Sequence, residues 1–206
     1  SGTCINPLEK TVSRYFRNLV MELLMKPKEN HMHEFIPYGR QNIDEEDIKA
    51  VIEALCSDWI TQGPRVEEFE ARVAEYCGAQ YGVAFNSGTS ALHAAMFAAG
   101  IESGDEVITT PLTFVATANA ALYVGARPVF VDIDKNTYCI NIEGVEEAIT
   151  PRTRAIVPVD YAGYPIEMKQ IREIADKHNL VVIEDAAHAL GAAREGAKVG
   201  TQADMT

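Results

Sequence analysis

Three short stretches carry side chains whose types and spacing could do chemistry. The first is Asn86-Ser-Gly-Thr-Ser90, where an apolar run gives way to a helical pattern over residues 91–99. Gly88 lets the backbone turn tightly, and the free N–H groups of a first helical turn form an anion site. The hydroxyls of Ser87, Thr89 and Ser90 add donors suited to a phosphate. Ser and Thr also cap helices with no ligand involved, so phosphate binding and simple capping both stand on this segment alone. The second stretch is Val182-Ile-Glu-Asp-Ala-Ala-His188, an acidic pair at the carboxyl end of an apolar strand, the end at which parallel sheets bind ligands. A carboxylate there can hold a protonated ring nitrogen and strengthen the electron withdrawal of a pyridine cofactor. It could also cap the following turn. Glu184, Asp185 and His188 could ligate a divalent ion, but a third carboxylate at fitting spacing is missing. The third is Pro111-Leu-Thr-Phe-Val-Ala-Thr117, where Phe114 lies just beyond a strand end. It could stack on a flat cofactor ring, although taken alone such an aromatic reads first as core.

Other patterns narrow the chemistry. No Gly-x-Gly-x-x-Gly follows a strand and no Gly-Lys-Ser/Thr occurs, so dinucleotide dehydrogenases and P-loop NTPases fit poorly. The Gly-x-Ser-x-Gly elbow of serine hydrolases is absent. His93, one turn inside its helix, reads as a packed helical residue, and His178, at a polar helix end, as a solvated one. The four cysteines, Cys4, Cys56, Cys77 and Cys139, form no CxxC pair and have no histidine at ligand spacing, which suits the incidental thiols of a reduced, cytoplasmic protein without a metal.

The elements that must position these residues alternate between two periods. Asn42 and Glu45 have the spacing of a capping box, and Ile48, Val51, Ile52 and Leu55 follow at helical intervals. A second amphipathic helix runs from Pro64 to about Tyr76 and is closed by Gly78. Short apolar runs then appear at 81–85, 106–109, 128–132, 155–159 and 180–183, with helices beginning near Thr89, Thr113, Ile142 and Ile166. Strands that are apolar on both faces, each followed by a helix, predict a mostly parallel sheet in a three-layer α/β/α fold. Gly191-Ala-Ala-Arg-Glu-Gly-Ala-Lys-Val-Gly200 reads as a hairpin leading into a further strand.

The chain of 206 residues is 47% hydrophobic and 23% charged, an ordinary globular balance. Its formal net charge of −12 argues against nucleic acid or an anionic membrane surface as partner. No apolar run reaches transmembrane length, and Leu19-Val-Met-Glu-Leu-Leu-Met25 is broken by Glu22. Residues 1–31 read as a leader ending in the polar Lys26-Pro-Lys-Glu-Asn30, with Met32 a natural start; upstream translation or a cloning remnant suits it better than an arm packed on a partner.

Eight stretches in order resemble the DegT/DnrJ/EryC1/StrS sugar aminotransferases, of the aspartate-aminotransferase type I fold. They are Trp59-Ile-Thr-Gln-Gly-Pro64, Phe69-Glu70, Asn86-Ser-Gly-Thr-Ser-Ala-Leu-His93, Gly104-Asp-Glu-Val-Ile108, Thr113-Phe-Val-Ala-Thr-Ala-Asn119, Gly125-Ala126, Phe130-Val-Asp-Ile-Asp134 and Glu184-Asp-Ala-Ala-His-Ala-Leu-Gly191, together covering roughly 35–206. Pro37-Tyr-Gly-Arg-Gln41, Ser57-Asp-Trp-Ile-Thr-Gln-Gly63 and Glu184-Asp-Ala-Ala-His-Ala189 look most like the branch that makes pseudaminic acid. The resemblance implies pyridoxal 5′-phosphate (PLP) as cofactor. It implies a UDP-4-keto-6-deoxy-N-acetyl-hexosamine as substrate, glutamate as amino donor and a homodimer at full length. It places Gly88, Thr89 and Ser90 at the cofactor phosphate, Phe114 on the pyridine ring, Asp185 at the ring nitrogen and His188 beside the phenolic oxygen. Relatives acting on a GDP-hexose or a UDP-pentose, and non-catalytic relatives that bind as regulators, are the alternatives.

One departure bears on activity. The family's Schiff-base lysine lies in a Ser-Phe-x-x-x-Lys motif that this chain lacks, and Lys198, the only lysine after Asp185, sits in the Gly196–Gly200 turn region instead. That lysine is covalent anchor and proton carrier at once. Residues 32–206 are therefore expected to hold an N-terminal segment and an incomplete large domain, without the small domain and inactive alone.

Overall fold

The computed structural model describes residues 39–206. The expected leader over 1–31, the start at Met32 and the motif residues Ile36, Pro37 and Tyr38 lie outside the described residues. The described chain divides after Ala50, and the sheet and the site belong to the unit 51–206.

Helix α1 (Glu45–Leu55) opens on three acidic residues that complement its dipole. Its cap is Asp44 rather than Asn42. The Asp44 Oδ1 accepts the N–H groups of Glu46 and Asp47 at 2.8 and 3.1 Å, and Asp44 N–H returns to Asp47 Oδ2 at 3.0 Å. This reciprocal box uses two carboxylates, which accept more strongly than the Asn42 amide could. Helix α2 (Pro64–Cys77) starts on proline and ends where Gly78, at φ 80°, donates back to Ala74 O and Glu75 O.

Residues 81–85, expected as a strand, form no ladder among the described residues. Alternation marks extended backbone and does not supply a neighbour. The segment lies instead on α2, with Ala84 N–H donating to Glu70 Oε1 at 2.7 Å and Gly82 so close that a Cβ would stand 2.5 Å from Glu70 O. Tyr81 and Val83 project outward, 78% and 70% exposed.

The remaining chain alternates as expected: α3 (Gly88–Ala98), β1 (Glu106–Thr109), α4 (Val115–Tyr123), β2 (Arg127–Phe130), α5 (Ile142–Glu147), β3 (Thr153–Val157), α6 (Met168–His178) and β4 (Val181–Val182). All four strands run parallel in the order β2-β1-β3-β4. Pro128, which has no N–H to give, is tolerated because β2 is an edge. An antiparallel hairpin follows, β5 (Ala193–Arg194) and β6 (Ala197–Lys198), turned by Glu195 and Gly196 at φ 50° and 83°. The chain then returns to the sheet, and Met205 bridges in parallel to Ile183.

Alternate strand residues face two cores. Ile108, Ile156 and Val182 pack with Val145 of α5 and Met168, Ile171 and Ala175 of α6. Val107, Ala155, Val157 and Ile183 pack with Met96 of α3 and Ala120 and Ala121 of α4. Helices thus cover both faces, which is the three-layer α/β/α arrangement.

The amino ends of three strands are tied by one carboxylate. Glu106, fully buried, accepts from Arg127 Nη2 at 2.6 Å, Arg152 Nε at 2.8 Å and Thr150 Oγ1 at 2.7 Å. Those bonds hold its carboxyl down to about 2, led by the Arg127 bond and against the opposing effect of burial. A depressed folded-state value stabilises the fold above the ordinary 4.5 and loses that contribution as pH falls through about 2. Glu106→Gln should therefore lower the unfolding free energy at neutral pH, and the gap from wild type should shrink as denaturant titrations move below about pH 4.5. A gap independent of pH would contradict this role.

Candidate functional site

The start of α3 is both a cap and an open anion corner. Ser87 is extended (φ −163°, ψ 156°) and its Oγ accepts Ser90 N–H at 3.2 Å. Ser87 and Ser90 hydroxyls lie 2.9 Å apart, and Ser90 Oγ donates to Asn86 Oδ1 at 2.8 Å. Ala91 N–H goes to Ser87 O at 3.1 Å. The N–H groups of Gly88 and Thr89 and the Thr89 hydroxyl have no partner among the described residues, so capping leaves donors over for a ligand. A Cβ at Gly88 would meet nothing within 4 Å, so that corner opens on free space.

The second group assembles at the carboxyl ends of the strands. Thr117, 1% exposed on α4, donates to Asp185 Oδ2 at 2.6 Å and lies 2.8 Å from Thr113 Oγ1. Phe114 is the extended N-cap of α4, and its carbonyl lies 3.0 Å from Thr117 Oγ1. Its ring is 74% exposed, which sets aside the core reading and leaves a free aromatic face one turn from the bond that holds Asp185. The other Asp185 oxygen receives only a long bond from Ala187 N–H at 3.4 Å.

Behind Asp185 runs the loop that follows β3. Pro158 cannot donate and ends the strand, but Val159 and Asp185 form a further parallel bridge. A 3₁₀ turn (Tyr161–Gly163) follows, with Gly163 at φ 84°. A Cβ at Gly163 would stand 2.8 Å from His188 O, so the loop presses on the backbone of His188, whose side chain is exposed. Asp160 and Glu184 are buried in this region, and Asp160 Oδ1 accepts Ile166 N–H at 2.9 Å. Burial pushes the Asp160 carboxyl up to about 7 and raises Glu184 as well.

Of the residues expected at the site, the structure links Phe114 and Asp185 through Thr117 and sets His188 on the same short turn as Asp185. Gly88, Thr89 and Ser90 form their own corner at α3, which packs on α4 through Met96 and through His93 against Tyr123, ring centroids 5.3 Å apart. Lys198 is held elsewhere, its Nζ bonded to Tyr76 O and 4.4 Å from that ring's centroid. Glu184 is not paired with Asp185 for a ligand: its Oε2 accepts Gly200 N–H and Thr206 Oγ1 at 3.2 and 3.0 Å. No group of three metal-ligating side chains comes together among the described residues. Thr117 lies inside the Pro111–Thr117 stretch without being singled out there, and Asp160 is in none of the candidate stretches, because their partners are distant in the chain.

This chain belongs to the DegT/DnrJ/EryC1/StrS aminotransferase family, which residues 41–206 match. It is 46% identical over 182 residues to the spore coat polysaccharide biosynthesis protein SpsC of Bacillus subtilis, covering 88% of this chain and 46% of that protein. Helicobacter pylori PseC, an aminotransferase involved in the biosynthesis of pseudoaminic acid, shares 42% identity and superposes with a TM-score of 0.76 over 81% of this chain and 45% of its own. The PLP form of Streptococcus pneumoniae Spr1654 superposes with a TM-score of 0.79 at 33% identity, over 82% and 47% of the two chains. The chain spans a little under half the length of the curated relatives it matches, 45% and 46%. Among the described residues no helix is long and apolar enough to cross a membrane.

Thr117 is the test of this geometry. Thr117→Val keeps the shape and removes the donor, leaving a part-buried Asp185 oxygen without its 2.6 Å bond. The cost should be about 1–2 kcal/mol in chemical unfolding, well above an ordinary exposed substitution. A change within a few tenths would contradict a bond of that kind.

Proposed function

We propose that this chain builds the cofactor-binding face of a PLP-dependent sugar aminotransferase acting on a nucleotide-linked 4-keto-6-deoxy sugar with glutamate as donor. The observation that carries the reading is the Asp185 carboxylate held by Thr117, whose hydroxyl also lies 3.0 Å from the carbonyl of the exposed Phe114, with unspent N–H donors at the start of α3. The donor set fits the cofactor part by part: backbone N–H groups for a phosphate, an aromatic face for the ring and a carboxylate for the ring nitrogen. PLP, when bound, supplies an electron sink for the carbanion left when a proton departs from the carbon next to the amine.

In this reading Gly88, Thr89 and Ser90 bind the phosphate and fix the cofactor's distance from α3. Phe114 covers one ring face and keeps water from it. Asp185 holds the proton on the ring nitrogen, and Thr117 fixes which carboxylate oxygen points inward. His188, exposed on the same turn, would donate to the ring's phenolic oxygen. The identity to PseC favours a UDP-linked 4-keto-6-deoxy-N-acetyl-hexosamine, and SpsC points likewise to polysaccharide sugars. Glutamate and nucleotide sugars put the reaction in the cytoplasm, and the working assembly is a homodimer with shared active sites. Lys198 is engaged with Tyr76, so the amine that would anchor the cofactor and carry the proton is not supplied from the hairpin.

The experiment is calorimetric titration of the chain with pyridoxamine 5′-phosphate, which needs no lysine to bind, beside a glutamate-dependent assay with the keto sugar. The chain should bind the cofactor and turn over no sugar. Asp185→Asn should weaken binding by roughly tenfold or more, the worth of one charge-assisted hydrogen bond. Equal affinity in the variant, or turnover by the chain alone, would contradict the roles given to Asp185 and to the absent lysine.

A further inference from the structure

We propose that Asp160 is a positioning residue for Asp185, acting through a single proton that its carboxyl shares with Glu184. The inference rests on the reading of Asp185 as the ring-nitrogen partner, and its own evidence is separate. Asp160 is 2% exposed and Glu184 is 5% exposed. The Asp160 Oδ1 accepts Ile166 N–H at 2.9 Å, while Oδ2 is buried and faces no N–H or O–H donor among the described residues. Asp160 N–H bonds the carbonyl of Asp185, the residue that follows Glu184, and the buried Glu184 carboxyl acts on Asp160 both as a side-chain partner and as a like charge. Glu184 is itself an acceptor from Gly200 N–H and Thr206 Oγ1. Two buried anions cannot bond each other; one of them must carry a hydrogen.

The charges around the pair do not relieve it. From the end of β4 come Glu184 and Asp185, both adding to the repulsion at Asp160. From the segment after β2 comes the Cys139 thiol, itself raised first by burial and also by Asp160. From the hairpin comes Arg194, but its guanidinium donates to Pro165 O at 3.1 Å and reaches Glu167 at 3.5 Å. A proton on Asp160 Oδ2, donated to Glu184, removes one charge and gives the orphaned oxygen its partner. Burial and the neighbouring carboxylates accordingly hold the Asp160 proton up to about pH 7.

The proton fastens three segments at the point where Asp185 is presented. Asp160 N–H donates to Asp185 O at 3.1 Å, so a shift at Asp160 moves the backbone of Asp185 directly. Through Oδ1 the same residue holds Ile166 and closes the loop whose Gly163 abuts His188 O. Through Glu184 it ties that loop to Gly200 and Thr206. The sign follows from a folded value above the ordinary 3.8. The stabilisation is complete below about 3.8 and is lost as pH rises toward about 7, the opposite sense to Glu106.

The test is a nuclear magnetic resonance titration of the intact chain between about pH 5 and 9, following the Asp160 side-chain carboxyl carbon and the Asp185 amide. In wild type the carboxyl should titrate near 7 and the Asp185 amide should move with the same midpoint. In Asp160→Asn, whose amide donates to Glu184 at every pH, the Asp185 amide should hold still across the range while the rest of the spectrum stays folded. An Asp160 carboxyl already ionised at about pH 5, or an Asp185 amide that titrates identically in both proteins, overturns the proposal. The wild-type arm decides even if a variant folds poorly. Pyridoxamine 5′-phosphate added at about pH 6 separates the two readings: a silent Asp185 amide then counts against the cofactor role and leaves the shared proton standing.

Discussion

The ladder between β3 and β4 continues past both strands, and the site depends on that continuation. Asp185 N–H donates to Pro158 O at 2.9 Å and Asp160 N–H donates to Asp185 O at 3.1 Å. The backbone of Asp185 is therefore placed by the sheet and not by a loop, although the residue lies beyond the last paired strand position. Rigid elements hold reacting groups more closely than loops can. The side chain is then fixed from a third direction, by Thr117 of α4. One carboxylate oxygen is thereby committed to Thr117, and the other takes a long bond from Ala187 N–H.

Four buried or part-buried carboxylates around this sheet differ in their surroundings. Glu106 sits at the amino ends of the strands with two arginines and stays an anion. Asp185 sits at the opposite ends with a hydroxyl donor and one oxygen nearly free. Asp160 and Glu184 lie just behind it, with no ion pair to a cation among the described residues. Glu106 clamps the sheet; in the proposed reading Asp185 faces the ligand, and the pair behind it sets where Asp185 stands.

The layer order was legible because its causes are local. Val107, Ile108, Ala155, Ile156, Val182 and Ile183 are apolar on both faces, and such strands must be covered twice. Gly78 and Pro64 mark the ends of α2 for reasons contained within a few residues. The cap of α1 fell two residues later than its spacing suggested, because Asp44 and Asp47 close their own reciprocal box at the start of the helix. Strand edges moved for a similar reason: β3 starts at Thr153, whose Oγ1 accepts from Thr150 N–H, and stops before Pro158. At the site, Asp185, Phe114 and the Ser87-capped turn could be named from residue type and position. The threonine that holds Asp185 could not, because it lies 68 residues away and nothing in its own neighbourhood distinguishes it from a helix threonine. Asp160 was hidden likewise, since an aspartate after a strand signals a turn, and its burial beside Glu184 exists only in three dimensions.

The most direct test of the account is a crystal structure of this chain grown with pyridoxamine 5′-phosphate. The account predicts the phosphate on the N–H groups of Gly88 and Thr89, the ring against Phe114 and the ring nitrogen within hydrogen-bond distance of Asp185. A ligand bound with its ring nitrogen away from Asp185, or with its phosphate away from the start of α3, would contradict it.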